Sequence, residues 1–226
     1  MKAIILAAGR GERMRPLTDT IPKPLLEVGG KPLIVRHIEK LAAAGFQDIV
    51  INHAHLGALI ERALGDGARF GVTIAYSREA TALESAGGIV NALPLLGAAP
   101  FAAVNADVYS DYDYARLAHT IARLARPGPL AHLVLVDNPD HNRGGDFALR
   151  GDAVALKGAR LTFSGIAAYR SEMFAGLATG VPARLAPLLA EYIAAKRVRG
   201  EHYRGCWRDI GTPERLAELE RELAAR

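Results

Sequence analysis

Short apolar runs alternate along this chain with longer stretches of helical period, and that rhythm narrows the fold more than any other feature. Lys2–Ala7, Asp48–Asn52, Val72–Ser77, Phe101–Asn105 and His132–Asp137 read as strands. Pro32–Ala44, Leu56–Leu64, a segment starting at Gly87–Leu93, and Tyr114–Leu124 read as helices. Gly45 stands just past the first helix, and Pro94 is expected to stop the third. The first half therefore has the strand–helix rhythm of a doubly wound α/β sheet. The second half is less regular. Phe147–Leu149 and Ala153–Leu156 suggest a hairpin across Arg150-Gly151-Asp152, Leu161–Tyr169 a strand, and Pro182–Lys196 and Pro213–Ala225 helices. No repeat, low-complexity tract or linker divides the chain, so residues 1–226 are expected to form one domain.

Composition removes several classes of function. Half the residues are hydrophobic, enough for a well-formed core. The net charge of +4 suits an anionic small molecule. No dense basic run with interleaved aromatics is present, so nucleic acid is not an expected partner. The single cysteine, Cys206, excludes an intrachain disulfide and points to a reducing compartment, the cytoplasm. The chain enters its first strand without a signal peptide, and no stretch approaches the ~20 apolar residues that span a bilayer, so no membrane association is expected.

Three segments carry candidate chemistry. Leu6-Ala7-Ala8-Gly9-Arg10-Gly11-Glu12-Arg13-Met14-Arg15-Pro16-Leu17-Thr18 places a glycine-rich turn directly after a strand. Such a turn offers backbone N–H groups to phosphates, and Arg13 and Arg15 add fixed positive charge. Its spacing is neither a Walker A loop nor a dinucleotide fingerprint, and by itself it is equally compatible with an ordinary glycine turn. Ile21-Pro22-Lys23-Pro24-Leu25 holds one lysine between two prolines, which leaves its backbone little freedom and suits an ammonium aimed at a phosphate, although a Pro-rich turn with a solvated lysine is equally open. Phe101–Asn105 ends in Ala106-Asp107, which puts a carboxylate at the C-terminal edge of a strand, where open α/β sheets bind ligands. Hard Mg²⁺ takes such carboxylate oxygens, although for an isolated Asp a helix N-cap or turn role is the favoured reading.

The first two segments, in this order and spacing, resemble the sugar-1-phosphate nucleotidylyltransferase (pyrophosphorylase) family over residues 1–35. That family opens with an apolar strand, then L-A-A-G-x-G-x-R-M/L-x-P-L-T, then P-K-P. The resemblance implies an α/β fold of the nucleotide-diphospho-sugar transferase type, a Rossmann-like mixed, mainly parallel sheet flanked by helices. It implies Mg²⁺ dependence and direct displacement of pyrophosphate from a nucleoside triphosphate by a sugar 1-phosphate. Ala8, Gly9, Gly11, Glu12 and Arg13 are then expected around the triphosphate, and Lys23 on the reacting phosphates. Asp107 matches the family's metal-binding aspartate, with Ala106 where the family has glycine, and Asn105 is expected at the nucleoside. Asp209, in Trp207-Arg208-Asp209-Ile210-Gly211-Thr212-Pro213, matches the second metal ligand. Thr212-Pro213 also reads as an N-cap and first residue of the last helix. Leu83–Ile89 stands where the family carries its base-reading loop, with Ser85, Gly87 and Gly88 as the contacts. The catalytic set implied is Lys23, Arg13, Asp107 and Asp209.

Within that family, Val136-Asp137-Asn138-Pro139, Gly145-Asp146-Phe147 and Leu161–Ile166 are similar to the N-acetylmuramate-1-phosphate α-uridylyltransferases of peptidoglycan recycling. Val50–Ala54, Gly200–Arg204 and the short length share that likeness. It implies UTP and N-acetylmuramic acid 1-phosphate as substrates. Residues about 1–110 would then be the nucleotide-binding half and about 130–212 the sugar-binding half. Asn138, Asp146 and Gly165 are expected near the sugar, with Arg143 facing the lactyl carboxylate; His141 is expected to be a solvated loop residue. Mannose 1-phosphate guanylyltransferase and a silent sugar-nucleotide sensor remain open, although Lys23, Asp107 and Asp209 are all present, which disfavours the sensor. No hexapeptide repeats announce a β-helix extension, and a monomer or small homo-oligomer is expected.

Overall fold

A computed structural model describes residues 1–225 of the chain. Strand β1 (Lys2–Leu6) leads through a long loop to a small hairpin, β2 (Glu27–Val28) and β3 (Lys31–Pro32). Then come α1 (Leu33–Ala43), β4 (Asp48–His53), α2 (Gly57–Leu64), β5 (Thr73–Arg78), α3 (Glu84–Leu96) and β6 (Phe101–Asn105). The middle of the chain supplies β7 (Val108–Ser110), α4 (Ala115–Leu124), β8 (Ala131–Val136), β9 (Phe147–Arg150), β10 (Ala153–Ala155) and β11 (Arg160–Tyr169). It closes with α5 (Leu185–Ala194), β12 (Val198–Tyr203), β13 (Trp207–Asp209) and α6 (Pro213–Ala224).

One mixed sheet runs through these elements in the order β5-β4-β1-β6-β11-β8-β12-β10-β9. The strands β5, β4, β1 and β6 are parallel, as expected where each crossover is a helix. β11 enters antiparallel between β6 and β8, while β8 and β12 run parallel. The alternation of side chains explains why β1 has no polar face. Ala3 and Ile5 pack into one core with Ile34, Ile38 and Leu41 of α1, and Leu117 and Ile121 of α4. Ile4 points the other way, into a second core with Ile89 and Val90 of α3 and Leu189 and Ile193 of α5. A strand covered on both faces must be apolar throughout.

α3 departs from its expected bounds. It begins at Glu84 and runs through Pro94 to Leu96. A proline this near a helix end forfeits a single backbone hydrogen bond, and Gly97, with φ 81, provides the actual stop.

Two features bear on function. β7 pairs antiparallel with β13, so that Asp209 lies opposite Val108, and the Ile210 N–H donates to the Asp107 carbonyl at 2.9 Å. A third, smaller core joins Met14 of the glycine-rich loop to Leu33, Ile210 and Leu219 of α6. Among the described residues no helix is long and apolar enough to cross a membrane.

Candidate active site

A cavity of about 310 Å³ lies at the C-terminal ends of the paired strands β1 and β6. Leu6, Ala7, Ala8 and Gly9 form one wall, Asn105, Ala106 and Asp107 another, and Lys23 with Pro24 the floor. Glu84 and Ser85, at the start of α3, complete it. Glu84 holds φ at 61, a conformation unusual for a residue with a side chain and most often kept where a site demands it.

The glycine-rich loop takes its shape from Gly11. Its φ is 72, and a Cβ there would stand 3.0 Å from Thr18 Cγ2 and 3.3 Å from Lys23 Cβ. Glycine is therefore required both by the backbone angle and by the closeness of the lysine segment. Thr18 Oγ1 donates to the Gly11 carbonyl at 2.9 Å and closes the loop on itself. Lys23 begins a single helical turn between its two prolines and is only 8% exposed. Its Nζ donates to Asp107 Oδ2 at 2.5 Å. A buried ammonium needs such a partner, because desolvation alone would disfavour its charge.

Asp209 reaches the same region by the β7–β13 pairing. Arg215 Nη1 holds its Oδ2 at 2.6 Å. Each of the two aspartates thus has one oxygen held by a cation, while Oδ1 of each accepts no hydrogen bond from the described residues. Both side chains keep solvent access, 35% for Asp107 and 21% for Asp209. Among the described residues no cluster of three or more His, Cys, Asp or Glu side chains is arranged to hold a metal. Two carboxylates with free oxygens still fit Mg²⁺, which commonly takes one or two carboxylates and completes its shell with phosphate and water.

Of the residues singled out from sequence, Ala8, Gly9, Lys23, Ser85, Asn105 and Asp107 line the cavity. Gly11, Glu12 and Arg13 lie on the adjoining loop, and a Cβ on Gly211 would come 3.1 Å from Arg13 Nη2, which puts Arg13 beside the Asp209 segment. Gly87 and Gly88 lie within α3, in keeping with the helix read from Gly87 onward but not with a base-reading loop, and neither lines the cavity. Gly88 sits against a buried pair: a Cβ would meet Asn52 Nδ2 at 2.5 Å and Glu79 Oε1 at 2.9 Å.

That pair is a brace the sequence reading missed. Asn52 accepts from the Ala7 N–H at 2.9 Å and donates to Glu79 at 2.7 Å. Glu79 in turn accepts from the Leu83 N–H at 2.8 Å. One side-chain relay thereby fixes the start of the glycine-rich loop relative to the start of α3. A polar Asn at the end of an apolar strand was the available signal.

On the other side, Gly165 touches Asn105: a Cβ there would lie 2.6 Å from Asn105 Nδ2. Asn138 and Asp146 brace their own loop. Asn138 donates to the Arg160 carbonyl and accepts from Thr162, and Asp146 accepts the Phe163 N–H at 2.8 Å. Arg143 is 81% exposed and pairs with Asp140 at 2.8 Å. His141 is exposed on its loop, as expected, yet it is not free of contacts. Its Nε2 lies 3.2 Å from Asp209 Oδ2 and 3.1 Å from Arg215 Nη1, so this loop docks on the Asp209 carboxylate.

Comparison with known proteins agrees with this geometry. Residues 2–147 match the family model described as nucleotidyl transferase. The chain is 55% identical over 225 residues to an N-acetylmuramate alpha-1-phosphate uridylyltransferase of Neisseria meningitidis serogroup B, covering 97% of each chain. It is 43% identical over 121 residues to a mannose-1-phosphate guanyltransferase of Yarrowia lipolytica, covering 52% of this chain and 33% of that one. Its fold is similar to that of a putative glucose-1-phosphate thymidylyltransferase from Bacillus anthracis solved with a sucrose, with TM-score 0.86, 24% identity, and 98% and 94% of the two chains covered.

Proposed function

The chain belongs to the nucleotidyl transferase family, and on that premise we propose that it joins the UMP of UTP to N-acetylmuramic acid 1-phosphate and releases pyrophosphate. The observation that supports this most is the juxtaposition of Lys23 and Asp107 at the floor of a cavity walled by the glycine-rich loop, with Asp209 brought beside it. The extent of the likeness to the meningococcal uridylyltransferase favours the uridylyl reading over the guanylyl one, which rests on half the chain.

In this reading a sugar-phosphate oxygen attacks the α-phosphorus of UTP in line. The new P–O bond forms as the bond to the β-phosphate oxygen breaks, and that electron pair leaves with pyrophosphate. A phosphate monoester is already anionic near neutral pH, so no side chain need remove a proton. The work left to the protein is positioning and charge neutralisation. Backbone N–H groups of Ala8, Gly9, Gly11 and Glu12, with Arg13, hold the triphosphate and the leaving pyrophosphate. Lys23, which now donates to Asp107, turns to a phosphate oxygen when substrate arrives. Ser85 and Asn105 face the nucleoside, and Gly87 and Gly88 act through the packing of α3. Gly165 and the loop bearing Asn138, Arg143 and Asp146 bound the sugar side. Asp107 and Asp209 hold Mg²⁺, which supplies charge neutralisation on the phosphates.

The single cysteine fits a cytoplasmic protein, and a product of this kind fits reuse of cell-wall sugar in peptidoglycan recycling. The test is a matrix of triphosphates against sugar 1-phosphates, read as pyrophosphate release. UTP with N-acetylmuramic acid 1-phosphate is expected to be the best pair. A clear preference for GTP with mannose 1-phosphate would replace this reading with the guanylyl one.

A further inference from the structure

A second cavity, of about 720 Å³, lies between α4 and strands β8 and β12. β8 runs in the same direction as β6, since each is antiparallel to β11. His132 lines this cavity from the beginning of β8, whereas the first cavity lies beyond the end of β6. The two cavities therefore face opposite edges of the sheet.

The charges around the second cavity do not cancel. Glu201 is already engaged, with Oε1 accepting from the Tyr112 hydroxyl at 2.5 Å and Oε2 paired with Arg116. Asp152 pairs with Arg199 at 3.5 Å. Arg123 has only a 3.3 Å hydrogen bond to Thr120 and makes no ion pair among the described residues. His132 is only 7% exposed, and its Nε2 has no hydrogen-bond partner. Glu201 Oε1 lies 3.4 Å away but outside hydrogen-bonding geometry, and Tyr112 already donates to that oxygen. A buried polar atom left unpaired is unfavourable and uncommon in a native protein.

His132 Nε2 has almost no accessible surface as it stands, although its residue lines the cavity. We propose that this cavity is a binding site for a phosphorylated small molecule, whose phosphate accepts from Arg123 and, with the His132 ring turned toward the cavity, from its unpaired Nε2. A phosphate presents several acceptor oxygens, which suits a guanidinium and an imidazole converging on one space. The volume leaves room for the rest of a metabolite. Arg116 and Arg199 line the same wall, and their half-exposed ion pairs are weak enough to be redirected. Burial, with Arg123 and Arg116 nearby, pushes His132 down to about 4. Its ring is consequently neutral near pH 7 and meets the anion as an N–H donor.

The test uses the full chain and inorganic phosphate as the probe. The ring resonances of His132, assigned by comparison with His132→Gln, are followed by NMR as phosphate is added at constant ionic strength. The same titration in Lys23→Ala removes the contribution of the first cavity. A saturable shift at His132 is expected in both proteins. In Arg123→Gln the apparent affinity should fall roughly tenfold or more, the loss typical of one charge-assisted contact. Turnover of that variant should stay unchanged, which also reports that it folds. A His132 signal indifferent to phosphate would overturn the site. So would a shift that chloride reproduces, one that vanishes in Lys23→Ala, or one that Arg123→Gln leaves intact.

Discussion

Lys23 Nζ and Asp107 Oδ2 meet at 2.5 Å although 84 positions separate them in the chain. One end of the pair is aimed by two prolines; the other is set by the end of β6. The contact neutralises a buried ammonium while leaving the second aspartate oxygen open toward the cavity.

Substitution of Asp107 or Asp209 by Asn is expected to lower turnover by roughly 10²–10³ with the fold retained, as for loss of a group that stabilises transition-state charge. Pyrophosphate release and far-ultraviolet circular dichroism on the purified variants decide this. Near wild-type turnover in either folded variant would remove that residue from the metal-holding role.

Gly88→Ala should destabilise the protein by about 1–3 kcal/mol, because the added methyl must displace Asn52 or Glu79 from their mutual hydrogen bond. Thermal melts measure it. The affinity for UTP should fall as well, since the same two side chains fix Ala7 and Leu83. A melt unchanged from wild type would show that the brace yields freely.

Acidification should weaken the fold through His37, which is 3% exposed. Its Nδ1 faces the Tyr114 hydroxyl at 2.7 Å and its Nε2 the Val108 carbonyl at 2.8 Å. A ring donating to the carbonyl and accepting from the hydroxyl is neutral. Burial, its largest cause, pushes its pKa down to about 4. The unfolded chain therefore binds a proton from about pH 6.5 downward while the folded chain does not until about pH 4. In that window stability falls by about 1.4 kcal/mol per pH unit for this group. His132 adds a term of the same sign. His37→Gln should flatten the slope of unfolding free energy against pH, measured by denaturant titration between pH 7 and pH 4; an unaltered slope would refute the assignment.

The sugar specificity is expected to depend on Arg143. N-acetylglucosamine 1-phosphate, which lacks the lactyl carboxylate, should be used less well by roughly 1.5–3 kcal/mol in kcat/KM. Arg143→Ala should erode that discrimination more than it slows the smaller sugar. Competition between the two sugar phosphates in wild type and variant is the measurement. Equal use of both by the wild type would sink the assignment of the sugar.

Much of the fold was legible because it rests on local pattern. Apolar runs became β1, β4, β5 and β6, and the burial of β1, β4 and β6 on two faces fits the parallel pairing there. The position of Asp107 at a strand end, and of Lys23 between prolines, could also be read locally. What escaped were contacts between turns that lie far apart in sequence. His141 is exposed as expected, but nothing near it in the chain announces its contacts with Asp209 and with Arg215, 74 positions away in the second case. Gly87 and Gly88 fitted both a helix start and a base-reading loop, because small residues suit both a tightly packed helix and a bare backbone. The Asn52–Glu79 brace was invisible for the same reason as the β7–β13 pairing: each is made by folding alone.

That last pairing sets an order in time. The glycine-rich loop is translated well before the residues that cover it: Met14 packs under Ile210 and Leu219, and Asp209 arrives on a strand made long after both the loop and β7. A nascent chain reaching only to Cys206 has the lysine, the first aspartate and the walls of the cavity but lacks the second aspartate and the lid over Met14. On the proposed assignment of the two aspartates, a chain halted there would be inert toward the nucleotide pool around it.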